Sequence, residues 1–330
     1  FATQKYEVFR RPPLRFGPRA KSQGRAFFQQ LKLLHLLLES KKNQDDNPNN
    51  PTIELEYYDS IIADGLERTY FVHLPASYNP SISYPLILAM HGGGLLGYEG
   101  IEGQSQLSEL SDSENFIVVY PEGLQTLGFR TWNAGDCCPS ATTLGTDDVG
   151  FINSLLEKLK LELSINSKKV YATGFSNGGQ LAYKLANRYP NKFAAVSAVA
   201  GVLQDFPFNP TRKVSIIHFH SYQDSTAPYH GGFSDAPNIN FEFPSVEATL
   251  LLIATNYDCD LIKQTIFSNS NTYDFFRYSD CVTNAQIELY VSQDGGHTWP
   301  GGQALPNVEI TNHFNASPLM WEFFKNHELP

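Results

Sequence analysis

Lys169-Val-Tyr-Ala-Thr-Gly-Phe-Ser-Asn-Gly-Gly-Gln-Leu-Ala-Tyr-Lys-Leu-Ala-Asn-Arg188 decides how the rest of the chain is read. Its first part, Lys169 to Thr173, is β-branched and aromatic, as a buried strand is. Its last part, Gln180 to Arg188, places Leu181, Ala182, Leu185 and Ala186 on one helical face. A serine between such a strand and such a helix occupies a sharp turn. Gly174 and Gly178, two residues to either side, remove the Cβ atoms that would keep strand and helix apart. This is the pattern of a nucleophile elbow, which lifts Ser176 Oγ clear of the backbone and aims the Asn177 N–H at the same space. A bare G-x-S-x-G is common by chance; the strand–turn–helix context gives it weight.

A serine hydroxyl attacks an ester only if a histidine takes its proton and a carboxylate orients that histidine. On an elbow of this kind the partners follow in the order Ser, then Asp or Glu, then His, each on a loop after a strand. Asp224 closely follows the apolar run Val214–His220, whereas its competitors Asp205 and Asp235 follow no equally clear strand. His297 follows the run Ile287–Ser292, in Asp294-Gly-Gly-His-Thr-Trp-Pro-Gly-Gly302. The oxyanion formed on attack needs preoriented N–H donors. One is expected from Asn177. The other is expected from the turn His91-Gly-Gly-Gly94 after the strand Pro85–Met90, with Gly93 favoured and Gly94 next.

Further strands are expected at Ile53–Tyr58 and Arg68–Leu74, joined as a hairpin through Ala63-Asp64-Gly65, and at Phe116–Tyr120 and Ala194–Val199. Helices are expected at Asp148–Leu163 and Gln180–Arg188, with a closing helix over Pro318–Lys325. This alternation predicts an α/β fold with a mostly parallel central sheet and helices on both faces. Residues 1–51 read as a basic, disordered leader and linker, and 52–330 as the folded domain. The leader holds ten Lys/Arg against four Asp/Glu, which leaves 14 basic and 30 acidic side chains in the remainder. So acidic a body repels phosphate backbones and argues against nucleic-acid binding. No apolar stretch reaches the length of a membrane span.

The set His91-Gly-Gly-Gly94, Tyr120-Pro-Glu-Gly123, Trp132-Asn-Ala-Gly-Asp-Cys-Cys138, Asp147-Asp-Val-Gly-Phe-Ile152, Val170 to Gly179 and Gly295-Gly-His-Thr-Trp-Pro-Gly301 resembles the polyhydroxybutyrate depolymerase-like esterases, a group that also holds feruloyl and acetylxylan esterases. The likeness spans Ile53 to His327. It implies a secreted α/β hydrolase that uses no metal or organic cofactor and takes an ester substrate linked to a plant-type polysaccharide or a polyester. The family's nucleophile, acid and base match Ser176, Asp224 and His297. Feruloyl or acetyl esters are the first expectation and a polyester the alternative. A hydrolase-fold binding module without activity is a third reading, which the retained serine and histidine oppose. Two departures stand out: His220-Ser221 where the family usually has His-Gly, and Leu251–Ile253 where a tryptophan is common.

Four cysteines allow three pairings. Cys259 and Cys281 flank what reads as an irregular insertion, and a bridge there would tether the loop bearing His297. The adjacent Cys137 and Cys138 form either a vicinal disulfide or two thiols. Asp147 is expected to cap the helix that follows rather than bind calcium. His218 and His220, two apart on one strand face, lack a third ligand of matching spacing and read as packing beneath the active-site loop. Trp299 and Trp132 either stack on substrate or pack in the protein. Asn315-Ala-Ser317 is a formal glycosylation sequon that helix capping explains equally well.

Overall fold

The structure is a computed structural model that describes residues 53–330, except 95, 127, 237–238 and 304–308; the leader and linker read at 1–51 lie outside the described residues. Strands β1 (Glu56–Ala63) and β2 (Leu66–His73) form an antiparallel pair that turns at Asp64-Gly65. Both expected strands therefore continue inward to meet at the turn, where the positive φ of both residues suits Asp and Gly. Then come β3 (Tyr84–Met90), α1 (Tyr98–Ser105), α2 (Leu107–Glu114), β4 (Ile117–Pro121) and a small hairpin of β5 (Leu124–Thr126) and β6 (Phe129–Thr131). They are followed by α3 (Pro139–Leu144), α4 (Asp148–Glu162), β7 (Ile165–Phe175), α5 (Asn177–Arg188), β8 (Ala195–Val199) and β9 (Ser215–Ser221). The chain ends with β10 (Gly232–Phe233), β11 (Glu242–Phe243), α6 (Val246–Asn256), β12 (Gln264–Ser268), β13 (Tyr273–Tyr278), β14 (Ile287–Ser292) and α7 (Ala316–Lys325).

Among the described residues ten strands form one sheet in the order β1-β2-β4-β3-β7-β8-β9-β14-β13-β12. From β4 to β14 every neighbouring pair is parallel; the outer strands are antiparallel. The central strands are buried on both faces, which is why they read as unbroken apolar runs. Leu86, Leu88 and Met90 of β3 join one core with Phe151, Leu155 and Leu159 of α4 and Leu181 and Leu185 of α5. The alternate residues Ile87 and Ala89 join the other with Ile101 of α1, Leu107 of α2 and Met320, Trp321 and Phe324 of α7. Helices therefore cover both faces of a mostly parallel sheet, as expected.

The insertion between the third and fourth cysteines is not irregular. Its segment Tyr273-Asp-Phe-Phe-Arg-Tyr278 pairs antiparallel with β14, and β12 pairs outside it. The aromatic and β-branched content of these strands suits a sheet edge. Cys259 is bonded to Cys281 across the base of this hairpin, and Cys137 to Cys138. Capping follows the expected side chains: Asp147 accepts from the Gly150 N–H at 2.9 Å and Asn315 from the Ser317 N–H at 3.0 Å.

The chain passes from β3 to β4 on one side and later from β7 to β8 on the other. The strand order thus reverses between β3 and β7, and the crevice beyond their C-terminal ends is where open α/β sheets bind ligands. The turn at Gly92–Gly94 and the serine at 176 both stand at that crevice.

Candidate active site

Ser176 sits between β7 and α5 with φ 53° and ψ −118°, a conformation that L-residues rarely hold. Its N–H donates to the Val199 carbonyl at 2.8 Å, and its own carbonyl accepts the first helical bond, from Gln180 at 3.0 Å. The strain is therefore held on both sides. The flanking glycines explain how the elbow closes: a Cβ on Gly174 would collide with the Gly178 backbone, and one on Gly178 with the Met90 and His91 carbonyl oxygens. Helix α5 begins at Asn177 rather than Gln180, so Asn177 is its first residue and its N–H has no intrahelical acceptor.

His297 Nε2 lies 2.9 Å from Ser176 Oγ, and its Nδ1 lies 2.7 Å from Asp224 Oδ2. Phe175 packs tilted on the imidazole, 4.9 Å between centroids. Asp224 is buried; its Oδ1 accepts from the Thr226 and Ala227 N–H groups at 2.9 and 2.8 Å. Burial alone would raise this carboxyl, but the His297 charge and hydrogen bonds from His220 and His297 outweigh it and hold Asp224 below the usual carboxylate range. The rival Asp205 is engaged elsewhere, in a two-pronged pair with Arg188 (2.7 and 2.8 Å).

The two expected glycine donors differ. Gly94 N–H is already bonded to the Arg130 carbonyl at 3.0 Å, and Arg130 N–H returns to the Gly94 carbonyl at 2.7 Å. The Gly94 expectation is therefore corrected: its N–H is consumed in a bridge to β6. A Cβ on Gly93 would lie 3.9 Å from Asn177 Cβ, so this glycine faces the start of α5.

Both tryptophans are buried, with their indole N–H groups engaged. Trp132 Nε1 donates to the His91 carbonyl at 2.8 Å, and Trp299 Nε1 to Ser317 Oγ at 3.0 Å. Packing, not substrate stacking, describes their surroundings. Trp132 also ties the elbow to the glycine turn: Asn177 Oδ1 accepts from its backbone N–H at 2.6 Å, and Asn177 Nδ2 donates to its carbonyl at 3.2 Å. Nothing in the spacing of these residues announced that link.

A cavity of about 380 Å³ adjoins the elbow, lined by the glycine turn and by Leu96, Ile101, Phe129 and Phe175. Leu96 and Phe129 are half-exposed, forming an apolar surface open to solvent beside the serine.

A family model, that of the esterases, matches residues 63–229, about half of the chain. The chain belongs to the esterase family. The match covers the elbow and Asp224, while His297 lies beyond it. A bifunctional acetylxylan esterase/xylanase of Neocallimastix patriciarum is 31% identical to this chain over 196 residues, 58% of this chain and 26% of the relative. Feruloyl esterase B of Piromyces equi is 27% identical over 273 residues, 80% of this chain and 46% of the relative. The chain thus spans about a quarter and about half of these two proteins. "Probable feruloyl esterase C" of Aspergillus niger is 28% identical over 271 residues, 78% of this chain and 83% of the relative. Among solved structures, an acetyl xylan esterase from Aspergillus awamori superposes with a TM-score of 0.57 at 16% identity, over 82% of this chain and 99% of that one. The fold is that of the α/β hydrolases.

Proposed function

We propose that Ser176, His297 and Asp224 are the catalytic triad of this esterase, and that it cleaves feruloyl or acetyl esters of plant-type polysaccharides. The observation that carries the reading is the single imidazole bridging Ser176 Oγ and Asp224 Oδ2 at 2.9 and 2.7 Å. Ser176 Oγ attacks the ester carbonyl carbon while His297 Nε2 takes its proton, and Asp224 holds Nδ1–H and favours the imidazolium. The carbonyl oxygen becomes an oxyanion, met by the N–H groups of Asn177 and Gly93 at the positive end of α5. As the tetrahedral intermediate collapses, the alcohol leaves with the proton from His297. Water, deprotonated by the same imidazole, then attacks the acyl-serine and releases the acid and Ser176.

The apolar cavity beside the elbow favours an aromatic acyl group over acetyl, because Leu96, Ile101, Phe129 and Phe175 would bury a ring that acetyl lacks. The names of the relatives point to the same two acyl classes. Both disulfides fit an enzyme working outside the cell, where thiols are oxidised. Among the described residues no helix is long and apolar enough to cross a membrane.

The test is product release from methyl ferulate, acetylated xylan, short p-nitrophenyl esters and a hydroxybutyrate oligomer, with wild type and Ser176→Ala side by side. Serine-dependent release of ferulate or acetate is expected. Preference for the oligomer would transfer the substrate to polyesters. A folded protein silent on the whole panel, or Ser176→Ala at wild-type rate, would refute the proposal.

A further inference from the structure

Three polar side chains line up beneath the Asp224 loop, and the hydrolysis steps above do not use them. Tyr183 of α5 and His218 and His220 of β9 are buried. Tyr183 Oη lies 2.7 Å from His218 Nδ1, His218 Nε2 lies 3.0 Å from His220 Nδ1, and His220 Nε2 lies 2.8 Å from the Ala227 carbonyl. The same Nε2 is 3.3 Å from Asp224 Oδ2, the oxygen that faces His297. The two imidazoles are nearly coplanar in orientation, 5° apart, as their shared strand face requires.

The chemistry of the end groups fixes the direction of the chain. A carbonyl and a carboxylate only accept, so His220 Nε2 carries the hydrogen. With a single hydrogen on His220, Nδ1 accepts, which requires His218 to donate from Nε2 and accept at Nδ1. That leaves the Tyr183 hydroxyl as the donor. Reversing any member would set two acceptors or two donors face to face in a buried site, where an unpaired polar group is costly. Burial, then the neighbouring His220, keep His218 far below its ordinary titration range, so this member stays neutral. Other titratable groups around the chain are Asp224 and His297 at its end, Tyr229 edge-on to His220, and Tyr257 beside Tyr183.

We infer that Tyr183, His218 and His220 form a one-way hydrogen-bond chain that positions the Asp224 carboxylate for its work on His297. The inference rests on the triad reading proposed above. Asp224 Oδ1 is held by the Thr226 and Ala227 N–H groups, and the His220 Nε2–H that bonds the Ala227 carbonyl also stands 3.3 Å from Oδ2. The chain thus anchors Ala227, which holds Oδ1, and sets the positive end of the His220 N–H beside Oδ2. These are positioning residues; none touches the serine.

Two substitutions separate the donor from the packing. In His220→Asn the side chain ends short of the Nε2 position; in His220→Gln an amide N–H reaches it. His220→Asn is expected to lower kcat about tenfold with KM within twofold. Its acidic limb of kcat/KM should move to higher pH, because a carboxylate without the His220 N–H dipole 3.3 Å from Oδ2 attracts the His297 imidazolium more strongly. His220→Gln should return kcat to within about threefold of wild type. On the wild-type enzyme, 15N-resolved imidazole NMR should show His218 and His220 both as Nε2–H tautomers, a readout that stands even if His220→Asn fails to fold. Equal kcat and unshifted limbs in both variants, or Nδ1–H on His220, would overturn the chain. Ser176→Ala run alongside tells the two failures apart. Activity that survives in Ser176→Ala removes the triad and the chain together; serine-dependent activity indifferent to His220 removes the chain alone.

Discussion

Acidification should unfold this protein partly through His91, and the size of the effect follows from its surroundings. The ring is buried against Trp132, 4.8 Å between centroids; its Nδ1–H donates to the Gly92 carbonyl at 2.6 Å and its Nε2 accepts from the Gly123 N–H at 2.9 Å. Burial first, then the Arg130 and Arg68 charges, push the imidazole down from 6.5 to about 4 against the raising effect of the Gly92 carbonyl. In the unfolded chain this group protonates near its ordinary value, so between pH 6.5 and 4 only the unfolded state gains the proton. The contribution to stability is complete above pH 6.5 and drains away as pH falls to about 4. At about 1.4 kcal/mol per pH unit that window is worth about 3 kcal/mol. Urea unfolding followed by tryptophan fluorescence, at pH steps from 7 to 4, measures it in wild type and His91→Gln. The variant should lose about 1 kcal/mol at pH 7, for the missing Nδ1–H bond. It should then fall about 3 kcal/mol less than wild type on acidification. His218, also depressed, is present in both proteins and cancels in the difference. Asp224, held below the ordinary carboxylate range, loses its contribution only at more acid pH. Parallel curves for the two proteins between pH 6.5 and 4 would refute the reasoning.

Asp224→Asn should lower kcat by about 10⁴, as a mis-set imidazole does in serine hydrolases, whereas Asp205→Asn, altering a carboxylate bonded to Arg188 and Asn187 away from the serine, should leave ester turnover within about twofold. Gly94→Ala should keep near-wild-type kcat on an acetyl ester, since its N–H is bonded to Arg130 and a Cβ there meets nothing within 4 Å, while the methyl in the cavity it lines should raise KM for a feruloyl ester. Gly178→Ala should destabilise the fold by about 3 kcal/mol or more, read from thermal melting, because the new methyl meets main-chain oxygens that cannot rotate away. Replacing Cys259 and Cys281 together by Ala opens a loop of separation 22 and should cost about 3 kcal/mol in urea unfolding at neutral pH.

The parts of this molecule that the sequence made readable are those where local chemistry admits one solution. Gly174 and Gly178 around Ser176 leave little but a strand–helix elbow, and the apolar runs before Gly92, Asp224 and His297 place each beyond a strand end. The readings went astray where the answer lies in long-range pairing. Tyr273–Tyr278 became a strand because β14 offered an unpaired edge, a fact absent from its own composition. Gly94 was a fair candidate donor by spacing; only the bridge to Arg130 removed it. Trp132 and Trp299 carry the same side chain whether they face solvent or the core, and the partners of their N–H groups lie 41 and 18 residues away.

His91 and His220 place buried imidazoles on either side of the proposed catalytic serine. Each ring has one nitrogen against a carbonyl oxygen, Gly92 or Ala227, so that nitrogen bears the hydrogen and the other accepts. His91 thereby grips the Gly123 N–H behind the turn that carries Gly93, while His220 faces the carboxylate bonded to His297. Donors on both flanks of Ser176 are thus directed by main-chain oxygens before any substrate arrives. Electrostatic stabilisation of an oxyanion is strongest when no dipole has to turn during the reaction. A proton added to His91 would set its Nε2–H against the Gly123 N–H and disturb the Gly93 turn. Ester turnover should therefore decline with acid before the protein unfolds, and His91→Gln should lessen that decline.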